Sequence, residues 1–446
     1  MQAPAEGKAE LNLLEPHAFS AASPSICLIG SSVRAAAESA KRAGYNVFSV
    51  DHFGDRDTLA VSKQHLPLPN FCKTSPQQDG AFQAQLADWT RVLPTIFVGG
   101  VRFSSQLLTH LQLSDHDQHL IAFSKQLQRF DCLRAACKAE GIHFPETRSL
   151  ASAEFSIATL EARSELETNS WLLKQPDHCG GLGVRWLNAN LVNRFPSLPS
   201  GSVFQRWIPG RLFGTSLLSN GTEVAILGTC RGRFTRLGDL PFVYSGSCGP
   251  VPLTSDLKNA ILRLSESLVR RTGFRGIFNL DWVMTTSAQP SVLEVNPRWS
   301  GSVELLERAW LAWHQRSNVE APFRSIMDWV IRAIQGEQLP SCLSLEGKQA
   351  SLPPNRVLAQ DDDSTVDEPI WVKRIIFSRR EQVFDADAVL KMRILSGVSL
   401  HDLPLNPVTA QYGEPLCTMV FPWSQNDGLA QKRRYQTCVR TLSHGV

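Results

Sequence analysis

Two stretches of the chain carry oxygen-bearing side chains at strand spacing. They are Gly276-Ile277-Phe278-Asn279-Leu280-Asp281-Trp282-Val283-Met284 and Ser291-Val292-Leu293-Glu294-Val295-Asn296-Pro297-Arg298. Alternate residues of a strand share a face. Phe278, Leu280, Trp282 and Met284 then point to one side, with Asn279 and Asp281 on the other. In the second stretch Leu293 and Val295 are expected to point inward, with Glu294 and Asn296 opposite. A turn closing near residues 287 and 288 sets Asp281 across from Glu294 or diagonal to it. Facing carboxylates repel, and the pairing is disfavoured unless something compensates. A divalent cation is the natural compensator: carboxylates and an amide oxygen are hard ligands of the kind Mg²⁺ takes while holding a nucleotide's phosphates. Arg298 follows directly, a fork suited to phosphate or carboxylate. The plain alternative is the solvated side of an edge hairpin.

About 110 residues earlier, Ser170-Trp171-Leu172-Leu173-Lys174 reads as an apolar strand ending in a lysine, and Cys179-Gly180-Gly181-Leu182-Gly183 follows almost at once. Glycines let backbone N–H groups close over phosphates without obstruction. The order is not that of a P-loop, in which the lysine follows the glycines, and no such string occurs. Between the two regions, Ser202-Val203-Phe204-Gln205-Arg206-Trp207-Ile208-Pro209-Gly210 is a strand running into a Pro-Gly turn, able to offer backbone groups to an adenine edge.

The elements that must position these residues are legible in outline. The chain has 446 residues, enough for about three domains. Hydrophobic residues make up 43% and charged residues 20%, ordinary for a chain that buries a substantial core. Residues 1–24 read as a flexible polar tail. From Ser25 an apolar strand, Gly30, a small-residue helix over 33–43, Gly44 and a second strand over 45–51 spell a βαβ unit. With a further strand at 95–100, residues 25–115 form a Rossmann-like α/β domain. Helical spacing runs from 120 to 140 through Phe123, Leu127, Phe130, Leu133 and Cys137. Residues 150–300 read as α+β, with an antiparallel sheet and one amphipathic helix from about Ser255 to Arg271. A polar stretch over 346–368, with Asp361, Asp362 and Asp363, reads as a linker; strands return at 370–377 and 415–421. The last 20 residues, with Lys432, Arg433 and Arg434, read as a solvated basic end.

The exclusions are equally clear. A formal net charge of +3 gives no electrostatic reason to expect a nucleic-acid or membrane-surface partner. Ten cysteines without a C-x-x-C pair fit reduced thiols in a cytoplasmic protein. No signal-peptide core or bilayer-length apolar run appears. His110, His116 and His119 lack metal-ligand spacing.

Lysine strand, glycine loop, Gln-Pro-Gly hinge and acidic hairpin, in this order over roughly residues 25–310, resemble the ATP-grasp superfamily, whose members clamp ATP between two α+β subdomains. The resemblance implies an α/β and α+β chain: a Rossmann-like domain at 25–115, an ATP-grasp domain at 116–340 and a β-rich C-terminal module at 341–446. It implies that Lys174 contacts ATP phosphates, that Lys125 is the family's earlier nucleotide-binding lysine, that Gly180, Gly181 and Gly183 close over the phosphates, and that Gln205 and the backbone of Trp207 lie near adenine. Asp281, Glu294 and Asn296 would bind Mg²⁺ (or Mn²⁺), and Arg298 would face the reacting group. The implied activity is ADP-forming ligation of a carboxylate, of an amino acid by this likeness, to an amine through an acyl phosphate. The implied partners are small molecules, and many relatives by resemblance are dimers, which leaves a homodimer open. Departures are Arg206, where the family's hinge usually has an acid, and Leu212 and Phe213, where another acid often reaches the ribose. Arg231 and Arg233, on a strand after Gly228, either contact phosphate or substrate or are surface cations.

Three C-terminal strings, Trp371-Val372-Lys373-Arg374-Ile375-Ile376-Phe377, Asp402-Leu403-Pro404 and Gly413-Glu414-Pro415-Leu416-Cys417-Thr418, resemble the added module of ATP-grasp proteins associated with methanopterin and methanofuran synthesis, tyramine–glutamate ligase among them. Tyr244-Ser245-Gly246-Ser247-Cys248-Gly249-Pro250 is similar to that group too. Two other readings remain: an ATP-grasp scaffold that binds nucleotide as a sensor, and a dinucleotide-dependent oxidoreductase using Ile29-Gly30-Ser31-Ser32 and Asp51, although Ser32 and Ala35 stand where that turn needs glycines.

Overall fold

The apolar run at Ser25 forms β1 (Ser25–Ile29), which pairs in parallel with β2 (Asn46–Asp51) and β4 (Thr95–Phe97). Parallel neighbours need crossovers; α1 (Arg34–Arg42) supplies the first and buries Ala36, Ala37 and Ala40 against Ile26, Leu28 and Val47. With α2 (Arg56–Val61), β3 (Ser62–Pro67) and α3 (Pro76–Val92), this completes a four-stranded sheet of order β3-β2-β1-β4. The computed structural model describes residues 23–68, 76–99, 111–149, 170–175, 178–187, 201–316, 323–340, 343, 370–392, 397–423 and 429–444. The tail at 1–22, the linker at 346–368 and His110 lie outside the described residues.

The helical spacing over 120–140 is realised as two helices, α4 (Asp115–Leu127) and α5 (Phe130–Ala139), because Arg129 adopts extended backbone. The break lets Leu127 and Leu133 both reach one core. A small antiparallel sheet follows, ordered β5-β8-β6-β7 from β5 (Thr147–Ser149), β6 (Trp171–Lys174), β7 (Val184–Trp186) and β8 (Val203–Arg206).

The largest sheet has eight antiparallel strands. Five come in sequence: β9 (Gly210–Asn220), β10 (Val224–Leu237), β11 (Leu240–Gly249), β12 (Arg275–Thr285) and β13 (Pro290–Asn296). β14 (Ile370–Phe377), β16 (Ser399–His401) and β18 (Pro415–Trp423) extend it to the order β13-β12-β9-β10-β11-β14-β18-β16. The C-terminal strands therefore continue the central sheet, while β15 (Gln382–Phe384) and β17 (Val408–Ala410) pair separately.

One face of the large sheet buries Leu217, Phe278, Leu280 and Trp282 beneath α4, α5 and α6 (Ser255–Thr272). The other packs Leu218, Leu227 and Ile277 against α7 (Val303–Arg316), α8 (Ile326–Ile334) and the parallel sheet. Over β14 and β18 the cover is α9 (Ala386–Leu390) and α10 (Leu429–His444). The basic C-terminal end is thus a helix and not a solvated tail: Tyr435, Cys438 and Leu442 recur at helical spacing and are buried, while Lys432 and Arg433 stay outside.

A buried charge network ties these parts together. Arg34 of α1 donates to Glu304 of α7 at 2.9 and 2.7 Å and to Asp402 at 2.8 Å, and Lys373 of β14 reaches the same glutamate at 2.8 Å.

Candidate active site

The β12–β13 hairpin sets Asn279 opposite Asn296 and Asp281 opposite Glu294, as the alternation predicts. The register then slips: Trp282 pairs with Val292, so Leu293 is the extra residue of a bulge. Val292 is buried beside Val295 in place of Leu293, a correction to the inward set expected from sequence. The bulge also turns the Leu293 carbonyl toward Gln205, whose Nε2 donates to it at 3.3 Å.

Lys174, at the end of β6, places Nζ 3.1 Å from Glu294 Oε2, joining the small sheet to the large one. Asn279 Nδ2 donates to Asp281 Oδ1 at 2.5 Å, and Asn296 Nδ2 donates to Asp281 Oδ2 at 2.8 Å and to Glu294 Oε1 at 3.4 Å. Burial and the neighbouring Glu294 charge push the Asp281 carboxyl up to about 8, against the opposing pull of Lys174 and Arg298. Glu294 goes the other way, held below the usual carboxylate range chiefly by Lys174. The two carboxyls are thus pushed apart, Asp281 toward its protonated form and Glu294 toward its charged one, the outcome of two acids sharing a site.

This donor set fits a hard divalent ion: carboxylate oxygens from adjacent strands, a proton held on one of them, and an amide whose Oδ1 faces the pair once the group is turned over. Asn279 was not singled out by sequence, although strand alternation already put it on the Asp281 face. Gly214 was missed as well. A Cβ there would lie 3.0 Å from Asn279 Nδ2 and 3.1 Å from Asp281 Oδ1, a tight approach that would press on both groups.

The glycine loop connects β6 to β7 and is docked on β11. Gly180 O accepts from Tyr244 N at 2.9 Å. Gly181 has φ +80°, and a Cβ on it would meet the Phe242 carbonyl oxygen at 1.7 Å. Gly183 O accepts from Gln175 N at 3.0 Å, closing the loop just beyond Lys174. Gln205 is buried and uses its amide on Thr147 Oγ1 (3.1 Å) and Leu293 O, bracing the hinge strand; Trp207 is 39% exposed and packs edge-on against Trp186. The Trp207 N–H donates to Ser170 O at 2.8 Å.

Arg298 stands half-buried beyond β13, its charge felt by both carboxylates. With Pro297 it also lines a small cavity shared with Phe97, Asp117 and Ser124. Lys125 is exposed in the last turn of α4, with no contact to Lys174, Asp281 or Glu294. Asp51 is fully buried and accepts from the backbone N–H groups of Val33, Phe53 and Gly54 at 3.1, 3.1 and 2.9 Å, which consumes the acid a dinucleotide ribose would need.

Residues 133–302 match the family model of the ATP-grasp domain. That match holds Lys174, the glycine loop, Gln205, Asp281, Glu294, Asn296 and Arg298, and leaves Lys125 outside. A likeness of fold extends over nearly the whole chain. The carboxyaminoimidazole ribonucleotide synthase of Aspergillus clavatus, solved with ATP, superposes with TM-score 0.59 at 14% identity, over 94% of this chain and 98% of that one. The L-amino acid ligase of Bacillus licheniformis gives 0.58 at 14% identity, over 95% and 98%. In sequence, 170 residues are 28% identical to the arginine-specific carbamoyl phosphate synthase large chain of Bacillus subtilis (strain 168), 35% of this chain and only 16% of that relative's length. No helix among the described residues is long and apolar enough to cross a membrane.

Proposed function

We propose that this chain is an ATP- and Mg²⁺-dependent, ADP-forming ligase that joins a carboxylate, of an amino acid, to an amine through an acyl phosphate. The observation that carries the reading is Asp281 directly opposite Glu294 with Lys174 on the same glutamate, which brings cation ligands and a phosphate-type lysine together from two sheets.

The substrate carboxylate is its own nucleophile. One oxygen attacks the γ-phosphorus of ATP, the bond to the β-phosphate oxygen breaks, and ADP leaves. The amine then adds to the acyl carbon, phosphate departs, and the nitrogen loses a proton. No nucleophilic triad is needed, so the protein contributes positioning and charge neutralisation. Lys174 already pairs with a carboxylate, and phosphate oxygens are the same kind of partner. Arg298 forms no ion pair with a described residue, which leaves its fork for the transferring phosphoryl or the acyl oxygen. Asp281, Glu294 and Asn296 would hold Mg²⁺ (or Mn²⁺), which would supply neutralisation of the phosphate charge. The glycine loop covers the phosphates, and the Gln205–Trp207 hinge borders the adenine.

The neighbours' names support the substrate classes: one solved relative is called an L-amino acid ligase. A place in pterin- or furan-based one-carbon cofactor synthesis is the finer reading, supported by the strings at 244–250, 371–377, 402–404 and 413–418. All eight described cysteines are free thiols, in keeping with a cytoplasmic setting. The test is ADP release from Mg²⁺-ATP with pooled amino acids and amines, with hydroxylamine added to capture an acyl phosphate as hydroxamate. Hydroxamate that requires the acid is the expected result. ATP binding without ADP release under any pool would replace the ligase by the sensor reading.

A further inference from the structure

The strand register sorts the arginines of the large sheet by face. Arg231 pairs with Phe213, and Phe213 pairs with Trp282, their rings stacked 4.6 Å apart. Asp281 pairs with Gly214, one residue along and therefore on the other face. Arg231 and Arg233 accordingly stand on the side away from the metal-binding carboxylates and are not phosphate contacts of the nucleotide site.

What they face is built by the next two strands. Arg231 lies in a row with Cys248 of β11 and Val372 of β14; Arg233 lies in a row with Gly246 and Arg374. Arg233 and Arg374 are two strand spacings apart, roughly 10 Å, and Gly246 puts no side chain in the gap. It cannot: Gly246 has φ +133°, and a Cβ there would sit 2.0 Å from the Lys373 carbonyl oxygen. The result is a depression floored by Gly246 and Cys248 and flanked by guanidinium groups from both sides. The helical layers on this face cover its flanks, α4 to α6 over β9, β12 and β13, and α9 and α10 over β14 and β18.

Among the described residues these charges are uncompensated. None of the three arginines forms an ion pair or side-chain hydrogen bond with a described residue, and Arg374 Nε is buried without a partner. Arg374 is pulled down to about 10, first by burial and then by Arg233, so the like charges act on one another. Two surface arginines alone would splay into water. A half-buried third, with an orphaned donor across a gap that backbone geometry keeps open, makes a cradle.

We propose that this cradle is a second anion site, on the sheet face opposite the nucleotide, that binds the phosphoryl group of a small molecule between Arg231, Arg233 and Arg374. Planar guanidinium forks from two directions suit a compact dianion better than a single carboxylate. The site rests on the sheet register, the clearance at Gly246 and the orphaned Arg374 donor, and stands whether or not the chain is a ligase.

The experiment is calorimetric titration of inorganic phosphate and of ribose 5-phosphate into the full chain, with the nucleotide site first filled by Mg²⁺ and a non-hydrolysable ATP analogue. The expected result is saturable one-to-one binding, weakened at least tenfold by Arg233→Gln or Arg374→Gln, with affinity for the ATP analogue unchanged. Alkylation of the Cys248 thiol should slow as phosphate is added. Tighter binding of the ester assigns the site to a phosphorylated metabolite, and tighter binding of the free ion assigns it to phosphate itself. Arg231 and Arg233 are exposed, so an Arg231→Gln, Arg233→Gln double variant keeps its circular dichroism and remains a valid comparison. Absent saturation, equal binding by the double variant, or the same heat from chloride at matched ionic strength would each overturn the proposal.

Discussion

Asp281 holds a proton near neutrality, and a divalent ion at the hairpin must displace it. With the carboxyl at about 8, its ionised fraction is roughly 1% at pH 6, 10% at pH 7 and 50% at pH 8. If Mg²⁺ takes only the ionised form, its apparent affinity rises about fifty-fold from pH 6 to pH 8, and close to one proton leaves per ion bound at the acid end. The sign for stability follows from the same shift. An acid whose folded pKa lies above its unfolded value binds more protons folded than unfolded, so its contribution is greatest below pH about 4 and declines as pH rises through 8. Bound Mg²⁺ should reverse that decline. Removing the neighbouring charge with Glu294→Gln takes away the second cause of the shift, so the pH dependence flattens while affinity at pH 8 falls through loss of a ligand charge. Titration of Mg²⁺ in two buffers of different ionisation heat counts the protons directly. An affinity constant from pH 6 to pH 8, with no proton released, would refute the shared-proton account of the hairpin.

Lys174→Ala should weaken ATP binding by roughly tenfold to a hundredfold, the worth of one charge-assisted hydrogen bond to phosphate, and an unaltered dissociation constant in equilibrium dialysis would show the lysine serves only Glu294. Gly181→Ala should displace the glycine loop from β11, since its Cβ would stand 1.7 Å from the Phe242 carbonyl at φ +80°; the expected readout is a faster proteolytic nick in the β6–β7 connection with little change in overall melting temperature. Glu304→Ala leaves Arg34 and Lys373 buried without their shared acceptor, which should cost about 3–5 kcal/mol in chemical denaturation; a loss under 1 kcal/mol would mean that Asp402 and Glu38 suffice.

Most of the fold could be read because its signals are local. The βαβ opening, the helix at Ser255–Thr272 and the strands at 370–377 and 415–421 each announce themselves by apolar period and punctuation within a dozen residues. Where the reading failed, the deciding fact lay elsewhere in the chain. The polar, basic composition of residues 429–444 reads as solvated end until β14 and β18 present an apolar face for Tyr435, Cys438 and Leu442 to cover. The break at Arg129 follows from two leucines that must meet the same core, a requirement set by α6.

The candidate site divides along the same line. Strand alternation and one turn position suffice to put Asp281 across from Glu294, since period two leaves a carboxylate only two choices of face. The bulge at Leu293 escapes such counting because inserting a residue costs the local pattern nothing: Val292 and Leu293 are equally apolar, and only the partner strand decides which is buried. Arg231 and Arg233 show the limit most clearly. Their type invites a phosphate role, and nothing nearby in sequence speaks against it. The veto comes from Phe213 and Trp282, far along the chain, whose stacked rings fix the face on which both arginines stand. A charged residue's identity states what it can bind, whereas the register of its strand states which side of the molecule it serves, and register is a property of pairs.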